Sequence, residues 1–230
     1  MTELNSQKEE YLITIYKLMN EGEKVTNKSI STYLNLAPSS VTEMLKKLKD
    51  QGLVEDNKEN ILTDEGITIT QKTLSKHRLW EYFLEKELEF SWKDVHPVAN
   101  DLQSVTSDQL LDRLNAYLGY PEYCPHGSVI FINNEKIPRH LVKMNKAKTN
   151  TIYTVERIRD QRELLEYCES MDIKIGSQIK LLDYDKFDQT VIIENENKNE
   201  RISPKASKDI YLRELKVQWN IFNLLGKYKM

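Results

Sequence analysis

Apolar residues in the first half of the chain recur at helical spacing, in segments separated by turn signals. Leu12, Ile15, Tyr16 and Met19 follow a Ser6-Gln-Lys-Glu9 capping-box pattern, and Gly22 closes that helix. Thr26 caps a short second helix with Ile30 and Leu34 facing inward, and Asn35-Leu-Ala37 forms a tight turn. Pro38 opens a third helix at the position where its missing N–H costs nothing; Val41, Leu45 and Leu48 line its inner face and Gly52 stops it. Leu53-Val-Glu55 and Ile61-Leu62, joined by Asp56-Asn-Lys-Glu-Asn60, are short enough to be a wing. A longer helix is expected from about Thr63 to Leu88, with Leu74, Trp80, Phe83, Leu84 and Leu88 on its apolar face.

Beyond it, Ser91-Trp-Lys-Asp94 resembles another capping box, and Val95 to Val105 reads as helical, beginning near Pro97 or bent there. Ser107 caps a further helix with Leu110, Leu111, Leu114, Tyr117 and Leu118 as its buried face. These helices carry enough apolar surface for a homodimer seam or for a monomer core. Residues 128–150 lack periodicity and read as a linker. Short strands are expected around Val155-Ile158, Ile173-Leu181, Val191-Ile193 and Ile210-Leu212, with a helix from Arg162 to Met171, which together suggest a small SH3-like β-barrel. Leu215, Trp219, Phe222 and Leu225 are spaced as an amphipathic C-terminal helix.

The fold expected is therefore mainly α with a small β domain. It comprises a winged helix-turn-helix over 1–73, a helical dimerisation and metal-binding part with linker over 74–149, and an SH3-like domain with a C-terminal helix over 150–230. Composition changes this picture little. The 39% hydrophobic and 30% charged residues are ordinary for a globular protein, and no apolar run is long enough to span a membrane. The first residues show no basic-then-apolar signal pattern, and two cysteines in unrelated settings point to a reducing cytoplasm. The net charge of −3 does not by itself suggest nucleic acid, but Lys28, Lys46, Lys47 and Lys49 concentrate in the winged helix-turn-helix, the reader of any such partner.

A helix, a turn and a helix starting Pro-Ser-Ser-Val-Thr-Glu would enter the major groove of double-stranded DNA by its N-terminal end. Ser39, Ser40, Thr42 and Glu43 would reach base edges there, Lys46 and Lys47 would hold phosphates, and Thr26 belongs to the same face. The alternative is a three-helix core with solvated lysines. His77 and Glu81, four residues apart on one helix face, could hold one cation. Cys124 and His126 sit in a loop bounded by prolines and glycines; they are open to reading as a metal pair, a nucleophile with its base, or an inert turn. Cys168 shares a face with Leu164, Leu165 and Met171 and reads as core, and His140 as solvated.

In Glu10-Tyr-Leu-Ile-Thr-Ile-Tyr, Pro38-Ser-Ser-Val-Thr-Glu-Met-Leu, Leu62-Thr-Asp-Glu-Gly, Lys76-His-Arg-Leu, Val95-His, Ser107-Asp and Tyr120-Pro-Glu-Tyr-Cys-Pro-His-Gly, the chain resembles the diphtheria toxin repressor family. The likeness is to its three-part, manganese-responsive branch from Gram-positive bacteria. The resemblance implies a homodimer with an SH3-like third domain that binds palindromic operators when metal is loaded. It implies a metal site from His77, Glu81, Cys124, His126 and Asp160, with His96 matching a further family histidine. A second family site would need a carboxylate or cysteine, a glutamate and a histidine after Val95-His. Here Asn100, Gln103 and Ser104 stand there, and only Glu10 remains at the first-helix ligand position. Neutral amides and a hydroxyl are poor donors for such an ion.

The reading reached is a cytoplasmic, homodimeric, metal-responsive repressor of metal-uptake or homeostasis genes, with one ion per chain. Manganese is placed first, while thiolate and imidazole donors also suit iron(II) or zinc. One rival is a DNA-binding regulator that no longer depends on metal. Another is a metalloenzyme using Glu81, Cys124 and His126.

Overall fold

The computed structural model describes residues 6–55, 57, 59–134, 140–196 and 198–215. Their contacts form two compact units, Met1–Lys136 and Ile137–Met230.

In the first unit, α1 (Ser6–Asn20), α2 (Asn27–Leu34) and α3 (Pro38–Asp50) enclose a core of Tyr11, Leu12, Ile15, Ile30, Val41 and Leu48. Local chemistry sets each boundary. Gly22 takes a positive φ of 71°, and Glu23 N–H returns to the Leu18 carbonyl to close α1. Thr26 accepts from Ser29 N–H in a capping box, and Asn35 ends α2 in the left-handed region. Pro38 stands in the first turn of α3. Among the described residues the wing shows a bridge of Val54 with Leu62; Asp56 and Lys58 lie outside them.

Thr63 accepts from Gly66 N–H and caps α4 (Asp64–Lys86), the long helix. Its first turns pack on the reader core through Ile67 and Ile69. Gly66 lies so close to the Leu53 carbonyl that a Cβ would collide with it. Farther along, Leu79 is fully buried against Leu111, Leu114 and Ile130, while Leu84 joins Val95 and Ala99. Leu88, expected on the apolar face, falls beyond the helix end and is exposed.

α5 (Val95–Val105) starts after Asp94, so Pro97 occupies the first turn, where no N–H is required, and Ser91 sits in the preceding turn instead of capping the helix. α6 (Asp108–Tyr117) is capped by Ser107 as expected. Its buried face is narrower than predicted: Leu111 and Leu114 are inside, but Leu110 and Tyr117 are exposed. The segment read as a linker contains structure. Tyr123 bridges Val129 and Ile130 is buried in the first unit, while the second unit begins with β1 (Val142–Lys143) and a 3-10 turn at Met144–Lys146.

The second unit continues with β2 (Thr151–Ile158), α7 (Arg162–Ser170), β3 (Gln178–Tyr184), β4 (Val191–Asn195), β5 (Lys198–Ile202), α8 (Pro204–Ser207) and β6 (Ile210–Glu214). The strands form an antiparallel sheet in the order β1-β6-β2-β3-β4-β5. Alternation along β3 and β4 buries Ile179, Leu181, Val191 and Ile193. Bulges in β2 and β3 curve the sheet, as a small SH3-like barrel requires. Cys168 is fully buried, and burial pushes its thiol up to about 12, in keeping with a core role. His140 is exposed. Trp219, Phe222 and Leu225, which carry the expected C-terminal helix, lie outside the described residues.

Candidate metal centre

α4 presents His77 and Glu81 on one face, one turn apart. His77 Nε2 lies 3.0 Å from Glu81 Oε1. It lies equally 3.0 Å from His96 Nδ1, delivered by the first turn of α5, and His96 Nδ1 is 3.5 Å from the same carboxylate oxygen. On the other side Glu81 Oε2 meets His126 Nδ1 at 3.5 Å. Cys124 Sγ is 3.9 Å from that nitrogen.

The loop holding Cys124 and His126 is a tight turn. Cys124 N–H donates to the Ser128 carbonyl, Gly127 N–H donates to the Cys124 carbonyl, and Gly127 takes a φ of 79° that favours glycine. His126 Nε2 donates to the Trp92 carbonyl at 2.7 Å, and the Trp92 ring stacks on the imidazole. Trp92 was absent from the candidates read in the sequence. Backbone hydrogen bonding leaves no mark on side-chain identity, so only a stacked aromatic near the loop could have signalled it.

Glu81 is 1% exposed and His126 wholly buried; Cys124 and His77 are nearly so. A carboxylate in such a place requires positive partners. Burial alone would raise Glu81, but His77, His126 and His96 outweigh it and hold the carboxyl well below its usual range. His126 shows the reciprocal effect: burial works against its charge, yet Cys124 and Glu81 push its pKa far upward. The Cys124 thiol is pushed up by burial and by the Glu81 charge.

Glu81, Cys124 and His126 each offer a ligand atom within 4.8 Å of the others, and His77, Glu81 and His96 form an overlapping set around the same carboxylate. Imidazole, thiolate and carboxylate are the donors of a borderline divalent cation, so the residues present fit one. Asp160 belongs to the second unit, half-buried just after β2; beside it Arg159 Nε pairs with Asp209 Oδ1 at 3.0 Å.

The expected second site is otherwise. Asn100 is exposed, and Ser104 donates its hydroxyl to the Asp101 carbonyl at 2.8 Å. Gln103 is buried, with Nε2 3.5 Å from Glu9 Oε2. Glu10, expected to face this helix, is exposed, and its neighbour Glu9 faces it instead.

On the reader, Ser39, Ser40, Thr42, Glu43, Lys46 and Lys47 are all exposed along α3. Thr42 Oγ1 accepts from Asn27 Nδ2 at 2.6 Å and donates to the Pro38 carbonyl at 2.9 Å. Glu43 and Lys47 pair at 2.8 Å. Thr26 is exposed, its hydroxyl engaged in capping α2.

Among the described residues no helix is long and apolar enough to cross a membrane. Residues 3–61 match the family described as "Iron dependent repressor, N-terminal DNA binding domain". Residues 63–132 match "Iron dependent repressor, metal binding and dimerisation domain", and residues 142–214 match the FeoA domain. The solved structure of the manganese regulator SloR superposes with a TM-score of 0.79 at 32% identity, covering 94% of this chain and all of that one. The iron-dependent repressor IdeR of Mycobacterium tuberculosis is 30% identical over 132 residues, 56% of this chain and 57% of that protein. A probable metal transport system membrane protein of Chlamydia trachomatis is 38% identical over 65 residues, 28% of this chain and only 14% of its own length.

Proposed function

This chain belongs to the iron-dependent repressor family, and on that premise we propose that it is a metal-responsive transcriptional repressor of metal-uptake or homeostasis genes. It acts in the cytoplasm as a homodimer on a palindromic operator. Manganese is the first choice of ion, after the manganese regulator SloR, with iron(II), after IdeR, or zinc as alternatives. The metalloenzyme alternative is set aside, since the matched DNA-binding and dimerisation domains are those of repressors.

The observation that carries this reading is the buried Glu81 carboxylate with imidazoles on both sides and a thiol beside it. Glu81, Cys124 and His126, with His77 and His96, would hold the cation, which supplies the positive charge this cluster otherwise takes from protons. α4 joins that centre to the reader as one rigid element. Gln71 Nε2 donates to the hydroxyl of Tyr16 in α1, and Glu81 lies ten residues farther on, about 15 Å along the axis. The loop bearing Cys124 and His126 reaches the same helix: Phe131 packs edge-on against Tyr16, and Arg78 lies over Phe131. Ordering of the centre is thereby felt at α1 through both a helix and a loop.

The test is metal content and DNA affinity of the purified chain, with chelator and with added manganese, against a Cys124→Ala/His126→Ala variant. One ion per chain that the variant loses, with tighter DNA binding when loaded, supports the reading. Two ions per chain would contradict the account of Asn100, Gln103 and Ser104. Asp160 as a further ligand is a proposal from family resemblance, checked by the metal affinity of Asp160→Ala. A second reading, DNA binding independent of metal, draws on the neutral residues at the second site, and predicts the same affinity with chelator and with manganese.

A further inference from the structure

The contact between α1 and α5 holds a half-buried carboxylate but few other donors suited to a cation. Glu9 turns inward from α1, Gln103 reaches it from α5 as the single buried side chain among Asn100, Gln103 and Ser104, and Lys76 of α4 supplies the nearby positive charge. Lys76 is itself fixed, donating to the Thr106 carbonyl at 2.7 Å at the end of α5. Burial raises the Glu9 carboxyl, and the Gln103 amide and the charge of Lys76 offset this only in part, so the amide is the direct partner that a divalent ion there would have to displace.

We propose that Gln103, holding Glu9, tethers the reader to α5 by a direct polar link in place of a second metal ion. The first helix is then held in place before any cation arrives, and a cation binding only at the Glu81 centre adjusts a helix already seated. The link stands whether or not that centre takes metal, so its test needs neither metal nor operator.

The experiment measures the distance distribution between spin labels at Lys28 on the reader and Asp101 on α5, both exposed, in the metal-free full chain. With labelled chain diluted into excess unlabelled chain, so that only distances within one copy are read, the wild type is expected to give one narrow peak. Gln103→Met keeps the length of the side chain but removes its polar atoms, and should broaden the peak about twofold or add a second one. Gln103→Glu should do the same by setting two carboxylates together, and the exchanged pair Gln103→Glu/Glu9→Gln should restore the narrow peak, which a merely space-filling role would not. An unchanged peak in Gln103→Met, no recovery in the exchanged pair, or a wild-type peak that narrows only when manganese is added would each overturn the proposal.

Discussion

His126 donates its Nε2 proton to the Trp92 carbonyl, and this bond decides which nitrogen of the ring meets Glu81. With Nε2 committed at 2.7 Å, Nδ1 is the nitrogen turned toward the carboxylate, 3.5 Å away. Such an outer hydrogen bond orients a ligating imidazole and raises its basicity. The carboxylate is common to both donor sets, so its charge is the feature on which the centre turns.

Glu81→Gln keeps the shape and removes that charge. Manganese affinity should fall by about 100-fold or more, because the remaining thiol and imidazoles lose their shared anionic partner. Titration of the metal-free variant followed by calorimetry checks this, with far-UV circular dichroism to show that the fold persists. Affinity within a few-fold of wild type would mean that the ion does not sit at Glu81.

Proton competition follows from the same cluster. The His126 pKa is raised, so at neutral pH the imidazole carries a proton in the metal-free chain, and the raised Cys124 thiol keeps its own. Both protons must leave before those atoms can ligate a cation. Affinity should therefore climb with pH across the neutral range, about tenfold per pH unit for each proton released. Calorimetry in two buffers of different ionisation enthalpy counts the protons, and a count of zero would refute the scheme.

The elements of the reader and the facing of His77 and Glu81 on α4 were legible because periodicity and capping residues are local. Thr26, Pro38, Thr63 and Ser107 all start helices where their chemistry places them. Pairings made at a distance were not legible. The Trp92 carbonyl behind His126 is a backbone group with no sequence signature. Glu9 and Glu10 are adjacent acids, and only the rotation of α1 against α5 decides that Glu9 turns inward. Leu110 and Tyr117 fit the helical spacing yet stay exposed in a single chain. Helical spacing alone does not tell an exposed apolar position from a buried one.

Gly66 illustrates a constraint that a motif records without its reason. In Leu62-Thr-Asp-Glu-Gly the glycine lies inside α4, where flexibility is a cost, but the backbone of Leu53 approaches it closely. Gly66→Ala should push the wing base away from the helix and destabilise the chain by about 3 kcal/mol, the cost of overpacking against backbone that cannot yield. Urea unfolding of the metal-free protein measures it. An unchanged midpoint would show that the junction between reader and α4 is softer than drawn.

On the reader, exposed residues differ in what they have left to offer. Thr42 spends its hydroxyl between Asn27 and the Pro38 carbonyl, and Lys47 is paired with Glu43 four residues earlier. Ser39, Ser40 and Lys46 are exposed on the same helix. If Lys46 meets a phosphate, Lys46→Ala should weaken binding to any duplex by a similar factor and reduce the slope of log affinity against log salt by about 1. Ser39→Ala or Ser40→Ala should leave that slope alone and narrow the gap between operator and random DNA, since a hydroxyl at a base edge carries sequence information without charge. Fluorescence anisotropy on labelled duplexes over a range of salt separates these outcomes. A serine variant that changed the slope, or a Lys46 variant that changed only the discrimination, would reverse the roles assigned to the two residue types.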